Sequence, residues 1–198
     1  VTSGKAYLIV ASGKAAVTNT DSYGYLQVSD VTDNNGTISA SNADMEFTIT
    51  STADGYTIKM HDDRYLYQKG TYNSFNYDAN PTEGQYWTIE AQSDGTFKIT
   101  NKSVNKYIQY SINYGSYGSY ATAQTNAVVP SLYRYEGFNF VQLEEPDPTP
   151  AYSTIAELQE AATTTSTQVQ LTIKNWYVTG VNGNQFYLTD GEGLGIVG

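Results

Sequence analysis

The sequence predicts an all-β fold, and three observations carry the expectation. Residues 1 to 142 show no apolar spacing of helical period, only short runs in which apolar and polar residues alternate. Asp54-Gly55 and Asp94-Gly95 sit between such runs, and Asp-Gly suits hairpin turns whose central residues need positive φ. Tyrosine is in excess, at 19 of 198 residues. Its ring suits a pleated surface and its hydroxyl suits a binding face.

A repeat organises the first part of the chain. Tyr7, Phe47 and Trp87 lie 40 and 40 residues apart, opening the alternations Tyr7-Leu8-Ile9, Phe47-Thr48-Ile49 and Trp87-Thr88-Ile89. Tyr25-Leu26, Tyr65-Leu66 and Tyr107-Ile108 form a second set, spaced 40 and 42. Asn42-Ala43, Asn80-Pro81 and Asn126-Ala127 form a third, and Ser12-Gly13 takes the hairpin place in the first repeat. Three units of about 40 residues, each with about four short strands, can close a barrel and cap it with hairpins, leaving no long edge. That arrangement is a β-trefoil. Three units are too few for a propeller, which starts at about four blades.

Residues 143–152 read Leu-Glu-Glu-Pro-Asp-Pro-Thr-Pro-Ala-Tyr and hold three of the five prolines. Alternating proline removes backbone donors and favours extended geometry, so a semi-rigid linker is expected between a domain at 1–142 and another at 153–198. In the second domain, Thr154-Ile155-Ala156-Glu157 fits a capping box and predicts a short helix over 155–162. Val169, Leu171 and Ile173 then alternate, and Trp176 and Val178 fall on the other parity, which predicts a bulge near Asn175. Asn182-Gly183 and Asp190-Gly191 predict turns flanking strands at 186–189 and 194–197.

Two family resemblances follow from these residues. Gln85-Tyr86-Trp87, with Asp94-Gly95 and Phe97-Lys98-Ile99 after it, resembles the Q-x-W repeats of ricin-type lectins, over residues 4 to 142. Met45-Glu46-Phe47 is a degenerate copy, and Leu132-Tyr133 is read as the close of the last repeat. The resemblance implies that the Q-x-W aromatic is core and that its amide ties neighbouring turns. It also implies a sugar site built from an Asp, an aromatic platform and an Asn beside the glutamine. Here the Asp position falls on Gln27, Tyr67 and Gln109, the Asn position on Gly84, and the platform on Phe75. A galactose-type site is therefore not intact. Residues 151–198 resemble the opening half of the OB folds of bacterial surface and secreted proteins. On that resemblance the barrel is incomplete, and a partner protein or further chain is expected to supply its remaining strands.

The third repeat is lengthened by a segment with Tyr107, Tyr110, Asn113, Tyr114, Tyr117 and Tyr120, interleaved with Ser and Gly. Such a loop is expected to expose several rings, which suit sugar faces or protein epitopes. Tyr72, Phe75 and Tyr77 form a lesser version in the second repeat. The candidate ligand-binding residues are thus Tyr110, Asn113, Tyr114, Tyr117, Tyr120, Tyr72, Phe75 and Tyr77.

Composition narrows the chemistry. The chain has no cysteine and one histidine, His61, so thiolate sites, His-pair metal sites and a cysteine nucleophile are excluded, and no cofactor motif appears. His61-Asp62-Asp63-Arg64 is read as a solvated turn rather than an acid–base pair. The net charge is -10, and residues 143–198 carry Lys174 against seven acids, which excludes a nucleic-acid partner. No apolar run reaches the roughly 20 residues of a membrane helix. The expectation is a non-catalytic, lectin-like module of an exported or cell-surface bacterial protein, with a glycan as partner. Two alternatives stay open: a structural or adhesion protein, and accessory domains of a larger glycan-degrading enzyme.

Overall fold

The computed structural model describes residues 1–39, 42–144, 151–152, 170–171, 177–182, 185–189 and 196–197. The chain divides into a unit at Val1–Glu145 and another at Pro146–Gly198. The expected helix at 155–162 and the bulge near Asn175 lie outside the described residues.

In the first unit β1 (Lys5–Ala11), β2 (Lys14–Thr20), β3 (Leu26–Asp30) and β4 (Thr37–Ile38) lead through a single 3₁₀ turn at Ala43–Met45 to β5 (Phe47–Thr52). Next come β6 (Gly55–Lys59), β7 (Tyr65–Tyr67), β8 (Asn76–Asp78) and β9 (Trp87–Ala91). The last stretch holds β10 (Phe97–Asn101), β11 (Lys106–Ser111), β12 (Ser116–Tyr120), β13 (Ala127–Val128), β14 (Ser131–Tyr135) and β15 (Phe140–Gln142).

Six of these strands form the barrel. β14 pairs with β1, β1 with β5, β5 with β6, β6 with β9 and β9 with β10. The Phe97 N–H bonds the Pro130 carbonyl at 2.7 Å and brings β10 back to the β14 end of the chain. Three hairpins, β2–β3, β7–β8 and β11–β12, cap the ring. They meet one another: Leu26 faces Tyr117, the Phe75 N–H bonds Gly24 O, and the Ser119 N–H bonds Asn73 O. This is the β-trefoil that the repeat predicts.

The registers also correct the repeat. Tyr7 is the pairing partner of Phe47, not its counterpart, just as Tyr56 is the partner of Trp87. The equivalent first strands are Tyr7-Leu8-Ile9, Tyr56-Thr57-Ile58 and Phe97-Lys98-Ile99, and Ile9, Ile58 and Ile99 are all fully buried. The closing position is held by Phe47, Trp87 and Pro130, so Pro130 rather than Leu132 stands where the other repeats place an aromatic. Leu132 is buried two residues further on. In the second strands Ala15, Tyr65 and Tyr107 face Val10, Lys59 and Thr100. Ala15-Ala16 therefore answers to Tyr65-Leu66 and Tyr107-Ile108, while Tyr25-Leu26 belongs to the third strand. Small alanines give no pattern to read, which is why the set slipped.

The core fills the barrel and the cap together. Trp87 is wholly buried, and its Nε1 donates to Leu66 O at 3.2 Å. Leu26, Phe75 and Tyr117 bring one large buried side chain from each cap hairpin. Such burial stabilises by roughly 2 kcal/mol per large side chain.

In the second unit β16 (Ala151–Tyr152) pairs parallel with β17 (Gln170–Leu171). β18 (Tyr177–Asn182), β19 (Gln185–Thr189) and β20 (Ile196–Val197) form an antiparallel meander. Asn182 faces Gln185 and a register shift falls between Val178 and Gly180, while residues 183–184 of the expected Asn-Gly turn lie outside the described residues.

Candidate binding cleft

The turn of the first cap hairpin is built by Asp21. Its Oδ1 accepts from the N–H groups of Tyr23 (2.8 Å) and Tyr25 (3.0 Å), and its own N–H bonds Tyr25 O. Short Asp side chains favour such turns because they mimic a backbone carbonyl. Gly24 completes it at φ +87, where a Cβ would lie 2.8 Å from Phe75 O. The turn is thereby pressed onto the second hairpin and lifts the Tyr23 ring into solvent, 79% exposed.

The third hairpin turns through residues 112–115, with Gly115 at φ +62 and its N–H bonded to Ser111 O. Tyr114 rides on this turn, 82% exposed. The second hairpin contributes Asn73, whose Oδ1 accepts from Lys106 Nζ at 3.1 Å. The same ammonium also bonds the carbonyls of Thr71 and Tyr72, which anchors the loop. Gln109 is buried and accepts from the Gln124 N–H, fixing the loop between β12 and β13 that carries Gln124.

These elements enclose a cleft of about 590 Å³ lined by Asp21, Tyr23, Tyr25, Asn73, Tyr114, Ser116, Tyr120 and Gln124. Its chemistry is that of a small-molecule site: aromatic walls with a few converging polar groups. Burial, with the neighbouring phenols of Tyr25 and Tyr114, raises the Tyr120 phenol above its ordinary range. Tyr120 therefore stays protonated and can both donate and accept. A second cleft of about 350 Å³ adjoins, lined by Thr20, Tyr67, Asn76 and Tyr77 among others, and it shares Asp21 and Tyr23 with the first. A third, along Thr48, Thr50, Thr57, Lys59, Gln85 and Tyr86, presents no wholly exposed ring.

The expected contact residues divide sharply. Tyr114 and Tyr120 line the main cleft, and Tyr77 lines the adjoining one. Asn113 is exposed beside Tyr114 but lines neither of these two, and Tyr72, 79% exposed, also stands apart from them. Tyr110, Tyr117 and Phe75 are corrected: all three are buried core side chains, and of them Phe75 also borders the adjoining cleft. Tyr117 is fully buried, donates to Lys14 O at 2.7 Å and packs on Tyr110 with ring centroids 5.2 Å apart. Phe75 packs on Trp87 at 6.3 Å. The physical reason is the cap. Three hairpins meeting over a barrel need large inward side chains, and alternate residues of β11 and β12 supply them.

Phe75 is thus no sugar platform. Nor can Gly84 be replaced by the family's asparagine, since a Cβ there would lie 2.1 Å from Gln68 O. The Gln85 Oε1 is buried without a partner, so the expected amide tie between turns is not made by that atom. His61 is exposed, in a turn whose charges pair as Lys59–Asp63 and Arg64–Asp62.

Sequence reasoning missed Asp21, Tyr23, Tyr25, Ser116 and Gln124. A signal was present: Ser22-Tyr23-Gly24 in the first hairpin repeats the letters of Ser116-Tyr117-Gly118 in the third.

No protein-family model and no curated protein matches the chain. Solved structures do match it. A GlcNAcα1-4Gal-releasing endo-β-galactosidase from Clostridium perfringens is similar at TM-score 0.51 and 14% identity, over 71% of this chain and 33% of that one. The BEL β-trefoil is similar at TM-score 0.50 and 13% identity, over 72% and 96%. SeviL, solved bound to asialo-GM1 saccharide, is similar at TM-score 0.47 and 16% identity, over 73% and 100%. The first two agree with the strand pairing in one conclusion: the fold is a β-trefoil.

Proposed function

We propose that the chain is a non-catalytic carbohydrate-binding module, with the tyrosine cleft as its site. One observation carries the reading. Tyr23 and Tyr114, from two different hairpins, both stand exposed in the lining of one cleft, together with Asp21, Asn73, Ser116 and Gln124. Exposed rings stack on the apolar face of a pyranose, and the polar groups meet its hydroxyls.

A glycan array followed by calorimetry on the full chain tests this. Tyr114→Ala is expected to weaken binding about tenfold or more, a loss of about 1.4 kcal/mol, with an unchanged melting temperature. A full-strength complex in the Tyr114→Ala protein would refute the site.

A second reading is favoured by the endo-β-galactosidase match, which spans a third of that enzyme. On it, the module targets a glycan-degrading enzyme to its substrate. Export to the cell surface goes with both readings, and cell fractionation tests it.

A further inference from the structure

Resting on the saccharide reading, we infer that the ligand is a neutral, linear oligosaccharide whose chain crosses Tyr23 and fills both adjoining clefts. The two clefts, of about 590 and 350 Å³, share Asp21 and Tyr23 as a common wall. Each has its own aromatic and polar lining: Tyr25, Tyr114 and Tyr120 with Asn73 and Gln124 on one side, Tyr67 and Tyr77 with Ser74 and Asn76 on the other. A single terminal sugar needs one such set. Two sets joined at an exposed ring suit successive residues of a chain, with Tyr23 stacking at the crossing.

The charge of the ligand follows from the lining. Asp21 is the one Asp, Glu, Lys, Arg or His among the residues lining either cleft. Arg64 lies 3.9 Å from the Tyr77 ring, but its Nε is held by Asp62 Oδ2 at 2.6 Å. A uronic or sialic carboxylate would meet Asp21 in a chain of net charge -10, and two further cations nearby, Lys106 held by Thr71 O, Tyr72 O and Asn73 Oδ1 and Lys69 at 5.8 Å from the Tyr67 ring, line neither cleft.

Calorimetry of the full chain with mono-, di-, tetra- and hexasaccharides of the gluco-, galacto-, manno- and N-acetylglucosamine series tests the inference, with an oligogalacturonide as the anionic arm. In the series that binds, affinity is expected to rise at least about tenfold from mono- to tetrasaccharide. Tyr23→Ala is expected to erase that rise, and the oligogalacturonide is expected not to bind. Affinity that is complete at the monosaccharide, a rise that survives Tyr23→Ala, or preference for the oligogalacturonide would overturn the inference while leaving a saccharide site standing. Failure of every saccharide to bind would remove the carbohydrate reading itself.

Discussion

Tyr7 stands directly opposite Phe47 where β1 pairs with β5, and both side chains are fully buried. They are neighbours across a barrel seam. The 40-residue interval between them joins two parts of the barrel wall instead of marking one position repeated.

A double-mutant cycle on Tyr7→Ala and Phe47→Ala should therefore show coupling. Facing aromatic pairs couple by roughly 0.5–1 kcal/mol, and denaturant unfolding reads that departure from additivity. Strictly additive losses would contradict the register.

Among the described glycines, Gly84 leaves the least room for a side chain. It holds φ +75, its carbonyl accepts from the Gln68 N–H and from Asn101 Nδ2 (2.6 Å), and a Cβ would overlap Gln68 O. Gly84→Ala is expected to destabilise by about 3 kcal/mol or more, combining overlap with left-handed strain. Gly115→Ala, with nothing within 4 Å of the added carbon, should cost only about 1 kcal/mol. Equal costs in urea unfolding would show that the overlap is relieved.

Tyr114 and Tyr117 are three residues apart in one hairpin and should behave as opposites. Tyr117→Ala removes a buried ring and its bond to Lys14 O, and is expected to destabilise by about 3–5 kcal/mol. Tyr114→Ala should leave stability within about 0.5 kcal/mol and alter binding alone. Paired thermal melts and titrations separate the two roles.

Alkaline pH should loosen the first unit. Burial, and then the bond from its hydroxyl to Asp33 Oδ2 at 3.0 Å, push the Tyr133 phenol up to about 12. An unfolded tyrosine titrates near 10, so between about pH 10 and 12 the unfolded chain releases the proton first. Stability that is intact below pH 10 therefore falls as pH rises toward 12. Tyr117, held protonated by burial well above its ordinary value, adds to the fall. Tyr133→Phe should flatten part of that slope in melts taken from pH 9 to 12. An unchanged slope would show that Tyr133 does not titrate with unfolding.

Much of the architecture is legible in the residues. Asp-Gly turns, alternating runs and three aromatic-led strands sufficed for a β-trefoil, because hairpin chemistry is local. The register of the first repeat was not legible, since Ala15-Ala16 fills the place of Tyr65-Leu66 and Pro130 the place of Trp87. Those exchanges are set by how the barrel closes, which is not local. The site was half legible for the same reason. Tyr114 and Tyr120 lie in a visibly tyrosine-rich segment, yet which rings turn inward depends on strand parity against the cap. Tyr23 and Tyr25 enter the site only because Gly24 brings the first hairpin to within a backbone hydrogen bond of Phe75.

The central claim is that a saccharide binds between Tyr23 and Tyr114, and tyrosine-selective NMR during an oligosaccharide titration tests it most directly. The ring signals of Tyr23, Tyr25, Tyr114 and Tyr120 are expected to shift together and saturate, while those of exposed Tyr72 and buried Tyr117 stay in place. Saturating shifts centred on Tyr72, or on rings outside the cleft with these four unmoved, would contradict the account.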